Sequence, residues 1–398
     1  MTKKAFALLL STVLAACVLT GCQDTKEIAS PIVTEESASQ SDKTSLQTEP
    51  AASSETSVSE TSASESATSE TAKESQSEKS AKPVVENHDN MYRSELTNEW
   101  IGNALKSQRP VAVMVDNEVT ALDHYGLTQA DIVYEMMNST ANGEVTRLMA
   151  IVKDWGSITR FGSIRSVRPT NFMIAPEYNA VLVHDGGPFY INEYLTNPWV
   201  NNLSGGFARI NNGKAREFTE YVTTGEIASR MKSAGYSTEY NSYYQGQHWQ
   251  FADETAPVDL SSVYNVKDCT LVDLPFPHNS SELKYDEGSG TYLYYEYGRA
   301  HIDPENDDKQ LAFTNVILQR ADVTELDANG YMKFNILNQT GSGYYITGGK
   351  AIPVTWEKND AVDPTKFYDS NGTEITLNTG RTYIALVSST RWNELVLK

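Results

Sequence analysis

The chain is poor in cysteine, with three in 398 residues. Cys17 falls inside an N-terminal apolar run and Cys22 lies just past it, which leaves Cys269 alone in the body of the protein. A mature monomer can therefore form no internal disulfide, and its stability must come from a packed core. Cys269 precedes Thr270-Leu-Val272 and reads as a buried strand residue rather than a reactive thiol. Positive charge is also scarce. Lys and Arg total 32 against 52 Asp and Glu, a net charge of −20, and this acidity argues against a nucleic-acid partner. The familiar catalytic signatures are missing: there is no H-E-x-x-H, no G-x-S-x-G and no Walker loop. Residues 229–232 match S-x-x-K, but no K-T-G accompanies them and they sit in mid-helix. The sequence names no reaction, leaves any cofactor unknown, and leaves open whether the protein is an enzyme.

The N-terminus carries an address. Lys3 and Lys4 precede an apolar run over residues 5–19, an arrangement of secretory type too short for a stable span. It ends in Leu19-Thr-Gly-Cys22, which looks like a bacterial lipobox. Cleavage before Cys22 removes residues 1–21 as a lipoprotein signal peptide. The Cys22 thiol then carries a diacylglycerol, with palmitate as the expected acyl group, and two acyl chains provide lasting attachment. The expected location is the extracytoplasmic face of the bacterial cell membrane.

Residues 22–90 form the next unit, the lipidated cysteine and a Ser/Thr/Glu-rich stretch almost without aromatics. ETSVSETSASESATSETAKESQSEKS buries too little apolar surface to offset its ordering entropy, so it reads as a disordered acidic tether. Its 68 residues from position 23 span roughly 220 Å fully extended. As a flexible coil the rms span is about 45 Å. Either length lifts a folded body off a membrane and into a cell wall.

The remaining 300 or so residues are expected to be α+β: an N-terminal mixed α/β domain over 91–238, then a β-rich C-terminal domain over 239–398. In the first, PVAVMVDN reads as a buried strand presenting Asp116 and Asn117 at its end. Residues 132–137 and 145–152 bracket a polar turn as a long-loop hairpin, so Glu135 and Arg147 could form a cross-strand ion pair. Pro169 suits the first turn of a helix to about Tyr178, and residues 180–183 form a short strand that exits at His184-Asp-Gly-Gly187. Thr223-x-x-Glu226 is a capping-box pattern, and Gly235 stops the helix that follows. Beyond residue 236, runs at 291–297, 315–319, 331–337, 344–347, 351–356 and 382–387 read as strands, either of a compact all-β unit or of an extended first sheet. Residues 369–372 read as a hairpin turn.

The densest group of chemical side chains lies in TRFGSIRSVRP (159–169) and the VHDGG turn (183–187). Arg165 and Arg168 lie three apart and can face one way, and guanidinium forks suit carboxylate or phosphate oxygens. The alternative is a structural network with Asp116, Glu135 or Asp185. His184 and Asp185 could serve as base and orienter or as metal ligands, but adjacent strand residues point to opposite faces. A histidine held by a backbone partner is the competing reading. His301 and Asp303 share a strand face as weak metal candidates, although an EF-hand starting there would need Gly and Glu where Asp308 and Thr314 stand.

RPVAVMVDN (109–117), GLTQADIVYE (126–135), TRFGSIRSVRP, the VHDGG turn, Arg299-Ala-His-Ile-Asp303, Asn315-Val-Ile and Trp356-Glu-Lys358 together resemble the YerB-like lipoproteins. That likeness covers about 290 residues and implies an N-terminal and a C-terminal domain and a lipid anchor, with no established activity. The turn NSTANGEVTR is more polar than the glycine-rich form of the family.

The expected function is an extracytoplasmic lipoprotein that binds an anionic envelope component, a wall polymer or muropeptide, through an arginine-containing cleft. Arg165, Arg168, Asp116, Asn117, His184, Asp185, Glu135 and Arg147 are the candidate ligand-binding residues. Two other readings stand beside it: an enzyme that modifies envelope polymer, with metal assistance or without, and a scaffold that holds an envelope protein at the membrane.

Overall fold

The computed structural model describes residues 88–398. The signal peptide, Cys22 and nearly all of the tether lie outside the described residues. The fold is built on one mixed sheet of eleven strands. In chain order its principal members are β1 (Val111–Asp116), β2 (Ile132–Met137), β3 (Thr146–Val152), β4 (Val181–His184), β5 (Asn315–Ala321), β6 (Gln339–Thr347), β7 (Lys350–Lys358) and β8 (Thr382–Ser388). They lie side by side as β7-β6-β5-β8-β2-β3-β1-β4. β8 runs parallel to both β5 and β2, so the last long strand is inserted between the two halves. The chain is a mixed α/β half followed by a β-rich half, as the composition implies, and the second half extends the sheet of the first.

The central strands are apolar along their whole length because both faces are covered. Strand alternation sorts the side chains. Val111, Val113 and Val115 of β1 enter one core, and Ala112 and Met114 enter the other. β8 divides the same way, Tyr383, Ala385 and Val387 against Ile384 and Leu386. The first core is closed by a smaller antiparallel sheet holding Leu283, Tyr292 and Tyr294, and by the helix Glu226–Ala234 through Ile227 and Met231. The second is closed by the helical turns at 171–178, through Phe172, Ile174 and Tyr178.

Helix Glu226–Ala234 ends at Gly235, which is left-handed at φ 71°, as expected. Its start departs from a full capping box. Glu226 accepts the Thr223 backbone N–H at 3.1 Å, but the N-cap is Gly225, so the Thr223 hydroxyl binds the Glu226 carboxylate instead of a helical N–H.

A second departure concerns Glu135 and Arg147. In the β2–β3 register Glu135 lies opposite Leu148, and Arg147 opposite Met136. A one-residue offset puts the two side chains on opposite faces of the sheet, so they cannot pair. Arg147 lies opposite Asp116 of β1 instead.

Glu177, in the helical turns of the first half, is buried against the second. Lys358 donates to its Oε1 at 2.8 Å, and the Thr365 backbone N–H and hydroxyl bind its two oxygens at 2.9 and 3.0 Å. Burial pushes the Glu177 carboxyl up and the Lys358 ammonium down, and each partner pulls the other back towards its charged form. His248 donates Nε2–H to the Thr365 carbonyl at 2.9 Å, and its Nδ1 has no partner. Burial and the nearby Lys358 and Lys366 hold this imidazole down to about 3.

Lys358→Met leaves a buried carboxylate unpaired and should cost about 3–5 kcal/mol, read from the urea unfolding midpoint. Glu177→Leu combined with Lys358→Met should recover most of that loss. His248 has a depressed folded-state value, so its contribution to stability is complete above the ordinary histidine range near 6.5 and is lost as pH falls towards 3. Against His248→Phe, wild type should lose about 1.4 kcal/mol more per pH unit across that window in urea titrations.

Candidate functional site

The predicted arginine group gathers where the C-terminal end of β1 meets the loop after Gly162. The loop is laid along β1 by Asp116 N–H to the Ser163 carbonyl and Arg165 N–H to the Met114 carbonyl, both 3.0 Å. Asp116 is buried, with Arg165 Nε 2.7 Å from its Oδ2 and Arg147 Nε 4.0 Å from its Oδ1. A second Arg165 nitrogen binds Glu217. Arg147 donates to the Ser166 carbonyl and hydroxyl at 3.0 and 2.9 Å. Arg168 donates to the carbonyls of Asn138 and Val167 at 3.2 and 2.9 Å and stacks over the Tyr331 ring at 4.2 Å.

Arg147 and Arg168 are almost completely covered. Burial brings Arg147 down to about 10, with Asp116 opposing and Arg165 assisting. Burial and the charge of Arg147 bring Arg168 down to about 9. Arg165 alone of the three keeps a substantial part of its side chain, 28 %, open to solvent. These arginines are brought together as expected, and their donors brace the loop against the sheet.

The other candidates go elsewhere. Asn117 and Glu135 face the first core, where Asn117 donates to Thr146 at 2.9 Å and to Glu135 at 3.4 Å. Glu135 also accepts from Thr146, Asn279 and Ser281 on Oε1 at 2.7–2.9 Å, and from Tyr294 and Tyr383 on Oε2 at 2.9 and 2.5 Å. Burial raises its carboxyl, the Tyr383 and Asn279 donors lower it, and the charge of Glu296 raises it again. His184 is a buried neutral imidazole with Nδ1 2.8 Å from the Gly186 carbonyl and Nε2 3.2 Å from the Asn202 amide. Burial depresses it, which matches the backbone-held reading. Asp185 points away from it to Arg209 at 3.4 Å. Asp303 accepts from Gly126 N–H, Thr128 N–H and hydroxyl, and Glu305 N–H at 2.6–3.0 Å, so its oxygens are occupied by the loop they fix. His301 faces Glu296 and His124 instead. Cys269 is buried, and burial pushes its thiol up to about 12, which makes it inert at neutral pH.

An open cavity of about 630 Å³ lies elsewhere, in the β-rich half beside β5 and β6. Arg320, Lys333, Asn335, Gln339 and Ser342 give it a polar wall. Neither Arg320 nor Lys333 makes an ion pair among the described residues, and Asp322 is the single acidic residue of the lining. Trp356 forms its floor and donates Nε1–H to the Arg320 carbonyl at 2.9 Å. Gly341 lies directly on that ring: a Cβ there would come within 2.5 Å of the indole nitrogen. From sequence alone MKFNIL reads only as a strand. The clue was the alternation of buried Met332, Phe334 and Ile336 with Lys333 and Asn335, which puts both polar side chains on the groove side.

Residues 96–237 match the family described as "Protein of unknown function (DUF3048) N-terminal domain", and residues 272–384 match its C-terminal domain. The Bacillus subtilis (strain 168) protein named "Putative lipoprotein YerB" is 24% identical over 316 residues, 77% of this chain and 89% of that protein. The crystal structure of the YerB protein from Bacillus subtilis superposes with a TM-score of 0.64 at 19% identity, covering 77% of this chain and 99% of that one. Among the described residues, no helix is long and apolar enough to cross a membrane. With both domain matches in order and the same fold in the solved relative, the chain belongs to the two-domain, YerB-like DUF3048 family.

Proposed function

We propose that this is a lipid-anchored protein of the extracytoplasmic membrane face that binds an anionic cell-envelope polymer, of the wall-polymer or muropeptide class, in the groove walled by Arg320 and Lys333. The observation that carries the reading is a pair of cations, neither in an ion pair, that outnumber the single carboxylate of an open polar cavity, in a chain of net charge −20. Side-chain amides and hydroxyls around them suit a hydroxyl-rich ligand, and the volume suits a few sugar or polyol units. A tether with an rms span of about 45 Å would give the groove access to polymer beyond the membrane.

Arg320 and Lys333 take this role from Arg165 and Arg168, because Arg168 is buried among backbone carbonyls and Arg165 is held by Asp116 and Glu217. Arg320→Ala combined with Lys333→Ala should weaken binding of the full-length protein to purified anionic wall polymer by roughly 10-fold or more, with a shallower salt dependence and an unchanged melting temperature. Equal affinity of variant and wild type, by titration calorimetry or pull-down, would remove the groove from consideration. Arg168→Ala should do the reverse. It should cost about 2 kcal/mol of stability by chemical denaturation and leave polymer affinity as it was.

A further inference from the structure

We propose that His124, Glu296 and His301 form a buried divalent-cation site of the zinc class, which fastens the loop after β1 to the β-rich half. The three come from separate places. His124 lies between β1 and the helical turn at Leu127. Glu296 ends the strand Thr291–Glu296, and His301 follows the left-handed turn at Tyr297 and Gly298. All three are buried, and one donor atom from each lies within 4.8 Å of the others. A tetrahedral ion with bonds near 2.0–2.2 Å needs its donors about 3.4 Å apart, a separation that small side-chain rotations reach.

Hydrogen bonding sets this cluster apart from an ordinary core network. His301 Nδ1 lies 2.6 Å from Glu296 Oε1. Oε2 of Glu296 and Nε2 of His301 have no partner, and the ring nitrogens of His124 have at most a weak contact with the Asp116 backbone. A buried polar atom left without a partner costs about 1–3 kcal/mol, so several together call for an occupant. Beside them is a void of about 10 Å³, bounded by Leu122, Ala300 and Ile302 and room for one ion or one water. Asp123 and Arg299, 3.8 Å apart and largely exposed, stand at its outer side.

The donor set selects the ion. Two imidazoles and one carboxylate suit zinc and neighbouring transition metals, whereas calcium and magnesium take oxygen-only sets. His301 can keep its Nδ1–H bond to Glu296 Oε1 while its Nε2 and the carboxylate's Oε2, the two atoms without partners, serve the ion. Asp303, already satisfied by four donors, plays no part. The site is independent of the groove and would act as a clasp between distant parts of the chain.

The test uses the tag-free, full-length protein in detergent, stripped with chelator and titrated with zinc chloride. Close to one equivalent of zinc per chain should bind, with a higher melting temperature, and cobalt should give a tetrahedral absorption spectrum. His124→Asn and His301→Gln should each bind at least about 10-fold more weakly and lose the zinc-dependent melting shift. The surface pair His278–Glu118 persists in both variants, so it cannot account for a difference between them and wild type. Uptake below about 0.2 equivalents by wild type, with no melting shift, would mean that water fills the void and would overturn the assignment. Equal binding by folded variants, or equal preference for calcium or magnesium, would also overturn it. If a variant fails to fold, the wild-type stoichiometry and cobalt spectrum decide.

Discussion

The carboxylate of Glu135 is the point on which the two halves of the molecule agree. It lies at the centre of the sheet with no access to solvent, and it takes hydrogen bonds from Asn117 and Thr146 on one side of the sequence and from Asn279, Ser281, Tyr294 and Tyr383 on the other. A buried acceptor of this kind is costly unless it is fully satisfied, and no single segment of the chain can satisfy it. The small sheet must therefore pack on the large one in one register, with Tyr294 and Tyr383 side by side, ring centroids 5.7 Å apart. Glu177 and Lys358 repeat the device on the other face with opposite charges in contact. Apolar burial supplies the driving force for the fold, and these polar contacts select one arrangement from the many that would bury similar area.

Much of this architecture was legible in the residues. The apolar run before Asp116 gave β1, the bracketed turn after Met137 gave the β2–β3 hairpin, and Gly235 marked a helix end, because each rests on local periodicity or backbone conformation. Partnership across the chain was not legible. Glu135 and Arg147 suggested an ion pair because both are charged and lie on neighbouring strands, but strand register decides which face each side chain sees, and register is set by the whole sheet. The same limit explains the second half. Its strands could be named, but their attachment to β2 through β8 depends on a parallel pairing with no local signature.

The arginines show how burial changes the meaning of a motif. Arg165 and Arg168, read from sequence, are two forks free to grip an anion. In the structure Arg168 spends its donors on backbone carbonyls and its plane on Tyr331, and Arg165 is held between Asp116 and Glu217. The cations that keep an open face, Arg320 and Lys333, sit in a strand-rich stretch with no motif to announce them. His301 was noticed for its neighbour Asp303, but chain folding gives it His124 and Glu296, which come from either side of a long separation.

The pairing of β8 with β2 has a consequence for how the molecule is made. Tyr383 and Glu135, which meet in that pairing, are 248 residues apart along the chain. A ribosome delivers the first half long before the strand that completes it, so until β8 emerges β2 has an unfilled edge of the kind that invites mispairing. Loss of β8 would therefore damage the beginning of the fold as much as its later strands.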